Sequence, residues 1–233
     1  MNSFALLLLT EFKFQWRHGF VAAAIIVTLI WAALLSLLPA EQRPFWFSIV
    51  ASIDVSAIGL LFGYGLGMLD GSQHISPALR LTPIRSIWLA LSRLIALSAL
   101  TILTLSLLAV VIMPLQQAFA LFPGIVLCAF FFSSVGITAA RRLASINQFL
   151  IFFALSGMVW AVPILYLAGL LESPIWVMLP SGGATALLKF GVENTPLVMG
   201  VIACLVQLLW TVVCVYFGER WAAVNYEHRF GGH

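Results

Sequence analysis

Charge is what this chain has least of. Only 8% of its 233 residues are Asp, Glu, Lys or Arg, against about 25% in soluble domains, so a water-solvated globule is excluded. Cysteine is scarce: Cys128, Cys204 and Cys214 all fall in apolar runs, where a thiol behaves as a small buried hydrophobe, and neither a disulfide frame nor a metal site is expected. Lysine occurs only as Lys13 and Lys189, neither preceded by glycine, which rules out a G-x-x-x-x-G-K-[ST] phosphate cradle. His18, His74, His228 and His233 all lie outside the apolar runs, so a serine protease working at membrane depth would lack its base. Without paired carboxylates or an HExxH spacing, the chain reads as a non-enzymatic one with no cofactor of its own.

Apolar residues fill that space. They make up 63% of the sequence, mean hydropathy is +1.11, and runs long enough to cross a hydrocarbon layer of about 30 Å recur along the chain. The predicted fold class is an all-α integral membrane protein, one transmembrane domain over 1–233 with six spans at about 19–39, 45–69, 87–113, 119–139, 147–171 and 197–218. Pro114 to Ala118 reads as a short turn. Pro163 falls inside the fifth span, where neighbouring helices can re-satisfy the backbone. The segment 172–196, with Pro174, Pro180, Gly182 and Gly183, reads as a broken loop or short helices at the outer face, either a lid or an inert connection.

These spans sort the basic residues. Lys13, Arg17, Arg80, Arg85, Arg93, Arg141, Arg142, Arg220 and Arg229 fall on one side, and Arg43 and Lys189 on the other. Positive residues in short loops stay cytoplasmic, so both termini are expected inside. The net charge of +3 then reflects topology, with no nucleic-acid partner implied. Arg141 and Arg142 fit either as orientation determinants or as a second cytoplasmic contact. Most tryptophans lie near span ends, as interfacial anchors do, with Trp160 and Trp210 deeper.

Residues 3–18 place an apolar run ahead of Glu11, Lys13 and Arg17. That order does not suit a cleaved signal. The spacing predicts an interfacial helix with Phe4, Leu7, Leu8, Phe12 and Trp16 toward lipid; the alternative is an extension of the first span. Two further features stand out. Gly59, Gly63 and Gly67 recur every four residues and form a small-residue seam for a neighbouring helix, either within the subunit or across a dimer. Asp54 is a carboxylate inside the second span: it faces a translocation path or proton-linked switch, or it lies near the outer interface bonded to Ser52 or Ser56.

The connection between the second and third spans carries a helix-start signal at Ser76-Pro77, a break at Thr82-Pro83 and basic residues leading into the next span. Here Asp70-Gly71, Ala78-Leu79, Leu81-Thr82-Pro83-Ile84-Arg85 and Ser92-Arg93, together with the basic, aromatic stretch Ala5 to Phe20, resemble the membrane subunits of ABC transporters of the type-2 export class, similar to drug and antibiotic (fluoroquinolone-type) efflux permeases. The resemblance implies an N-terminal elbow helix and a cytoplasmic coupling helix through which Asp70, Gly71, His74, Ala78, Leu79, Arg80, Thr82 and Pro83 would meet a separate ATPase. ATP and Mg would be held by that partner. It also implies two permease copies, or one with a paralogue, in a bacterial plasma (inner) membrane. A haem-export permease, or a small secondary carrier or channel without an ATPase, are the alternatives.

Overall fold

The computed structural model describes residues 3–72, 86–143, 145–193 and 197–230, with side chains described for 4–69, 88–143, 145–193 and 197–218. All the regular structure among them is helical. In chain order the helices are α1 (Ser3–Arg17), α2 (Phe20–Ser36), α3 (Arg43–Ser72), α4 (Ser86–Ile112), α5 (Leu115–Arg142) and α6 (Ile146–Leu167), then a 3₁₀ turn (Pro174–Met178), α7 (Gly182–Val192) and α8 (Leu197–Phe230). Five of these, α3, α4, α5, α6 and α8, are long and apolar enough to cross a membrane. The chain is a multi-pass membrane protein. At 17 residues α2 is shorter, about 25 Å at 1.5 Å per residue, and joins α1 at a bend of 64°. Gly19 makes that bend with φ +79°, a left-handed conformation a Cβ would oppose.

At the centre stands α5, because its sequence is short in side-chain volume. Gly124, Cys128, Ala129, Ser133, Ser134, Gly136 and Ala139 are all buried and let other helices come close, with Phe131 and Phe132 filling the gaps. Around it pack α3, α4, α7 and α8. The outward faces of α6 and α8 are aliphatic, with Leu155, Met158, Leu205 and Leu209 exposed, as lipid contact requires.

Two sequence expectations are corrected. The expected turn 114–118 is mostly helix, since Pro114 sits at the N-cap of α5 and its fixed φ favours a start there. The fifth helix stops at Leu167, short of 171, where Gly169 at φ +76° turns the chain. The last helix, α8, covers the expected span 197–218 and continues to Phe230. Of the two forms expected for the segment before it, the described residues 172–193 take the short-helix one, a 3₁₀ turn and α7, with Gly182 to Leu188 buried without a break.

That burial follows from the run Gly-Gly-Ala-Thr-Ala. A Cβ on Gly182 would strike the Trp176 carbonyl, and one on Gly183 the Ala203 carbonyl of α8. The α7 N-terminus is therefore held against α8 about two turns in from Leu197, and its C-terminus lies by Ala120 and Leu121 of α5. Gln207, fully buried, accepts a hydrogen bond from the Ala184 N–H at 3.0 Å, satisfying one of the orphan donors of a helix start. Trp210 Nε1 donates to the Met178 carbonyl at 3.0 Å, so this deep tryptophan is a tie between elements rather than an interfacial anchor. Trp160 packs edge-on against Phe132 and is likewise buried.

Candidate functional site

The register of the bundle comes from glycine. Gly59 lies against Phe132, Gly63 against Gly136 and Gly67 against Ala140, so α3 and α5 run in the same chain direction and meet along one stripe. A Cβ added at Gly59 would stand 2.8 Å from the Phe132 backbone, and one at Gly63 would stand 3.0 Å from the Gly136 backbone. The seam read in the sequence is thus occupied by a helix of the same chain. Gly65 faces elsewhere, 3.6 Å from the Phe20 ring.

This register carries the charges to opposite ends. Arg43, at the start of α3, donates to the Ser36 carbonyl at 3.1 Å, the Leu38 carbonyl at 3.1 Å and the Ile112 carbonyl at 3.5 Å. Those are orphan acceptors at the ends of α2 and α4, where a cation is favoured. Lys189 donates to the Tyr166 carbonyl at 3.2 Å, near the end of α6, and lies 4.4 Å over the Tyr166 ring. The two basic residues that depart from the sequence's charge asymmetry therefore both serve helix C-termini. At the far end of the bundle lie Arg141 and Arg142, exposed in the last turn of α5, and Arg93 near the start of α4.

Arg93 is held by Glu11 of α1, with Nη2 to Oε1 at 3.0 Å and Nε to Oε2 at 3.3 Å. Both side chains are largely buried, at 17% and 11% exposure, and the two-pronged geometry is the strong form of such a pair. Phe4 packs edge-on against Trp88 beside it. This corrects the lipid-facing stripe expected for α1: Phe12 and Trp16 are exposed with Leu6 and Leu9, whereas Phe4, Leu7 and Leu8 are partly covered. The sequence treated Glu11 only as part of a polar run, and its spacing to Arg93 carries no local signal. Of the residues expected to couple to an ATPase, Asp70 and Gly71 fall in the last turn of α3, while His74, Ala78, Leu79, Arg80, Thr82 and Pro83 lie outside the described residues.

Among the described residues the buried acidic side chains are Glu11 and, in the middle of α3, Asp54. Asp54 is 4% exposed and eleven residues past Arg43 on α3, about 16 Å along the axis. The serine partners expected for Asp54 are corrected: Ser52 donates to the Ser48 carbonyl and Ser56 to the Ile53 carbonyl. The partner is Trp31 of α2, whose Nε1 donates to Oδ1 at 3.2 Å. Oδ2 is buried without a hydrogen bond. A carboxylate inside a span costs roughly 3 kcal/mol on insertion scales, and one neutral donor recovers only part of that.

Two relatives share this layout at the level of sequence. Over 189 residues, 80% of this chain and 80% of each relative, it is 25% identical to the fluoroquinolones export permease proteins of Mycobacterium tuberculosis strains CDC 1551 and H37Rv. The chain is similar to export permeases. No family model and no solved structure matches it significantly. The likeness to permeases covers most of the chain, and it fits a membrane protein whose α3–α5 pair is packed for close helix contact.

Proposed function

We propose that this chain is the membrane subunit of an ATP-driven exporter of the type-2 ABC class, carrying hydrophobic or amphipathic molecules out of a bacterial cell across the plasma membrane. The observation that carries this reading is the 25% identity over 80% of its length to fluoroquinolones export permeases. With α1 and α2 counted as one bent element, the chain has six spans, both termini lie in the cytoplasm, and α1 is the elbow lying in the inner interface.

Coupling follows from the same arrangement. A separate cytoplasmic ATPase grips the segment that joins α3 to α4, whose flanking residues include Asp70 and Gly71. ATP and Mg bind in that partner. A shift of the segment moves α3 and α4 together, and the glycine seam passes it to α5, which is packed too closely to lag behind. Such a shift is driven only if the ATPase holds the two membrane arrangements with different affinity. Two copies, or one copy and a paralogue, complete the path between them.

Co-expression with an ABC ATPase subunit of the same organism tests this directly. The two proteins are expected to co-purify, and amphipathic drugs to change ATP hydrolysis in proteoliposomes. Vectorial transport by the purified chain with no nucleotide-hydrolysing partner would overturn the proposal in favour of a secondary carrier.

A further inference from the structure

Among the described residues the partner of Asp54 is the neutral Trp31, and its Oδ2 is buried without a hydrogen bond. Arg93 is paired with Glu11. Arg43 is engaged with three carbonyls, and Lys189 with Tyr166. Thr101 and Thr104 of α4 are also buried. Their hydroxyls donate within their own helix, to Leu97, Leu100 and Thr101. A bare metal ion would need six or so oxygen ligands, and the neighbouring Ser52 and Ser56 hydroxyls are already turned to backbone carbonyls.

What suits Oδ2 is a single cationic donor attached to an apolar body. The way in is short. Trp31 covers the carboxylate from α2, is itself only half-buried, and is flanked by the exposed Ile30, Leu34 and Ile53 on the lipid side. α3 packs far less on α2 than on α5, so the α2–α3 crevice is the weaker of its two seams. Swinging the indole aside breaks one hydrogen bond of 3.2 Å and opens a route from the apolar phase to a buried carboxyl group, while the ring face remains available to a cation.

We propose that Asp54 and Trp31 form a binding site for amphipathic organic cations, with Asp54 as the charge partner and Trp31 as the flap of an entrance from the lipid side. This rests on the permease reading for the later fate of the cation, but binding itself needs no ATPase. The probes are tetraphenylphosphonium and its anion of like shape, tetraphenylborate, in equilibrium dialysis against the purified chain in lipid nanodiscs. Tetraphenylphosphonium is expected to bind saturably, and Asp54→Asn, which keeps an acceptor for Trp31, to weaken it at least about tenfold, as loss of a close charge partner in an apolar setting does. Asp54→Glu retains binding, Trp31→Phe binds at least as tightly, and tetraphenylborate shows only unsaturable partitioning.

A Trp31-specific emission change, taken as the difference between the wild type and Trp31→Phe, keeps the test independent of how well the Asn variant folds. Binding by Asp54→Asn within about twofold of wild type, saturable competition by tetraphenylborate, or an unchanged Trp31 emission overturns the site. If the cation binds but no ATPase responds, the site stands and the permease reading falls; an ATPase response with no binding at Asp54 has the opposite meaning.

Discussion

Exchanging two side chains across the α3–α5 seam tests the packing on which the reading of motion depends. A Cβ at Gly67 would occupy the place of the Ala140 Cβ, and one at Gly63 would stand 3.0 Å from Gly136 backbone atoms. Carbon atoms in contact prefer about 3.5–4.0 Å, so α3 and α5 must part by about 0.5–1 Å to admit one methyl group. Overpacking of this kind costs about 1–3 kcal/mol, offset by up to about 1 kcal/mol when alanine replaces glycine within a helix. Gly63→Ala and Gly67→Ala should therefore each destabilise by about 1–2 kcal/mol. Gly65→Ala, whose new Cβ meets the Phe20 ring at an ordinary 3.6 Å, should be neutral or slightly stabilising. The double change Gly67→Ala with Ala140→Gly moves the methyl across the seam and should recover most of the loss. Reversible unfolding in mixed micelles, followed by circular dichroism, reads all of these. Because the seam lies within one chain, the losses should not depend on protein concentration, as those at a dimer seam would. The reasoning is refuted if Gly63→Ala matches Gly65→Ala, or if the exchange is no more stable than Gly67→Ala alone.

Three further outcomes are expected. A double-mutant cycle on Glu11→Gln and Arg93→Gln should give a coupling energy of about 1–3 kcal/mol by the same unfolding assay, because the pair is two-pronged and mostly covered; a value near zero would make it an ordinary surface pair. Gln207→Leu leaves the Ala184 N–H buried and unpaired at a cost of about 1–3 kcal/mol, visible as faster amide exchange confined to the start of α7. Arg43→Ala frees three carbonyls at the ends of α2 and α4 and should lower stability by about 1–3 kcal/mol. Arg43→Lys, with one point donor in place of a planar fork, should recover part of that; full recovery would show that charge alone matters there.

The apolar helices were legible because hydropathy is a sum over some twenty residues, tolerant of any one of them. Their ends were less so: a proline at 114 reads as a turn until it is seen to sit at a helix start, where its missing N–H costs nothing. For the segment after α6 the sequence left a broken loop and short helices both open. Glycine and proline mark a loop when backbone is exposed, yet here Gly182 and Gly183 are small so that α7 can touch two carbonyls; the unbroken small-residue run from Gly182 to Ala186 was the available signal.

By itself the sequence determined which segments leave water, that the basic residues gather at one end, and that the Gly59–Gly63–Gly67 stripe must meet another helix, because each depends on composition and local spacing. Tertiary structure alone decided the partners. Trp31 and Asp54 are 23 residues apart, and Glu11 and Arg93 are 82 apart. No local pattern links them; they meet because the small residues of α5 let the helices around it close in only one register.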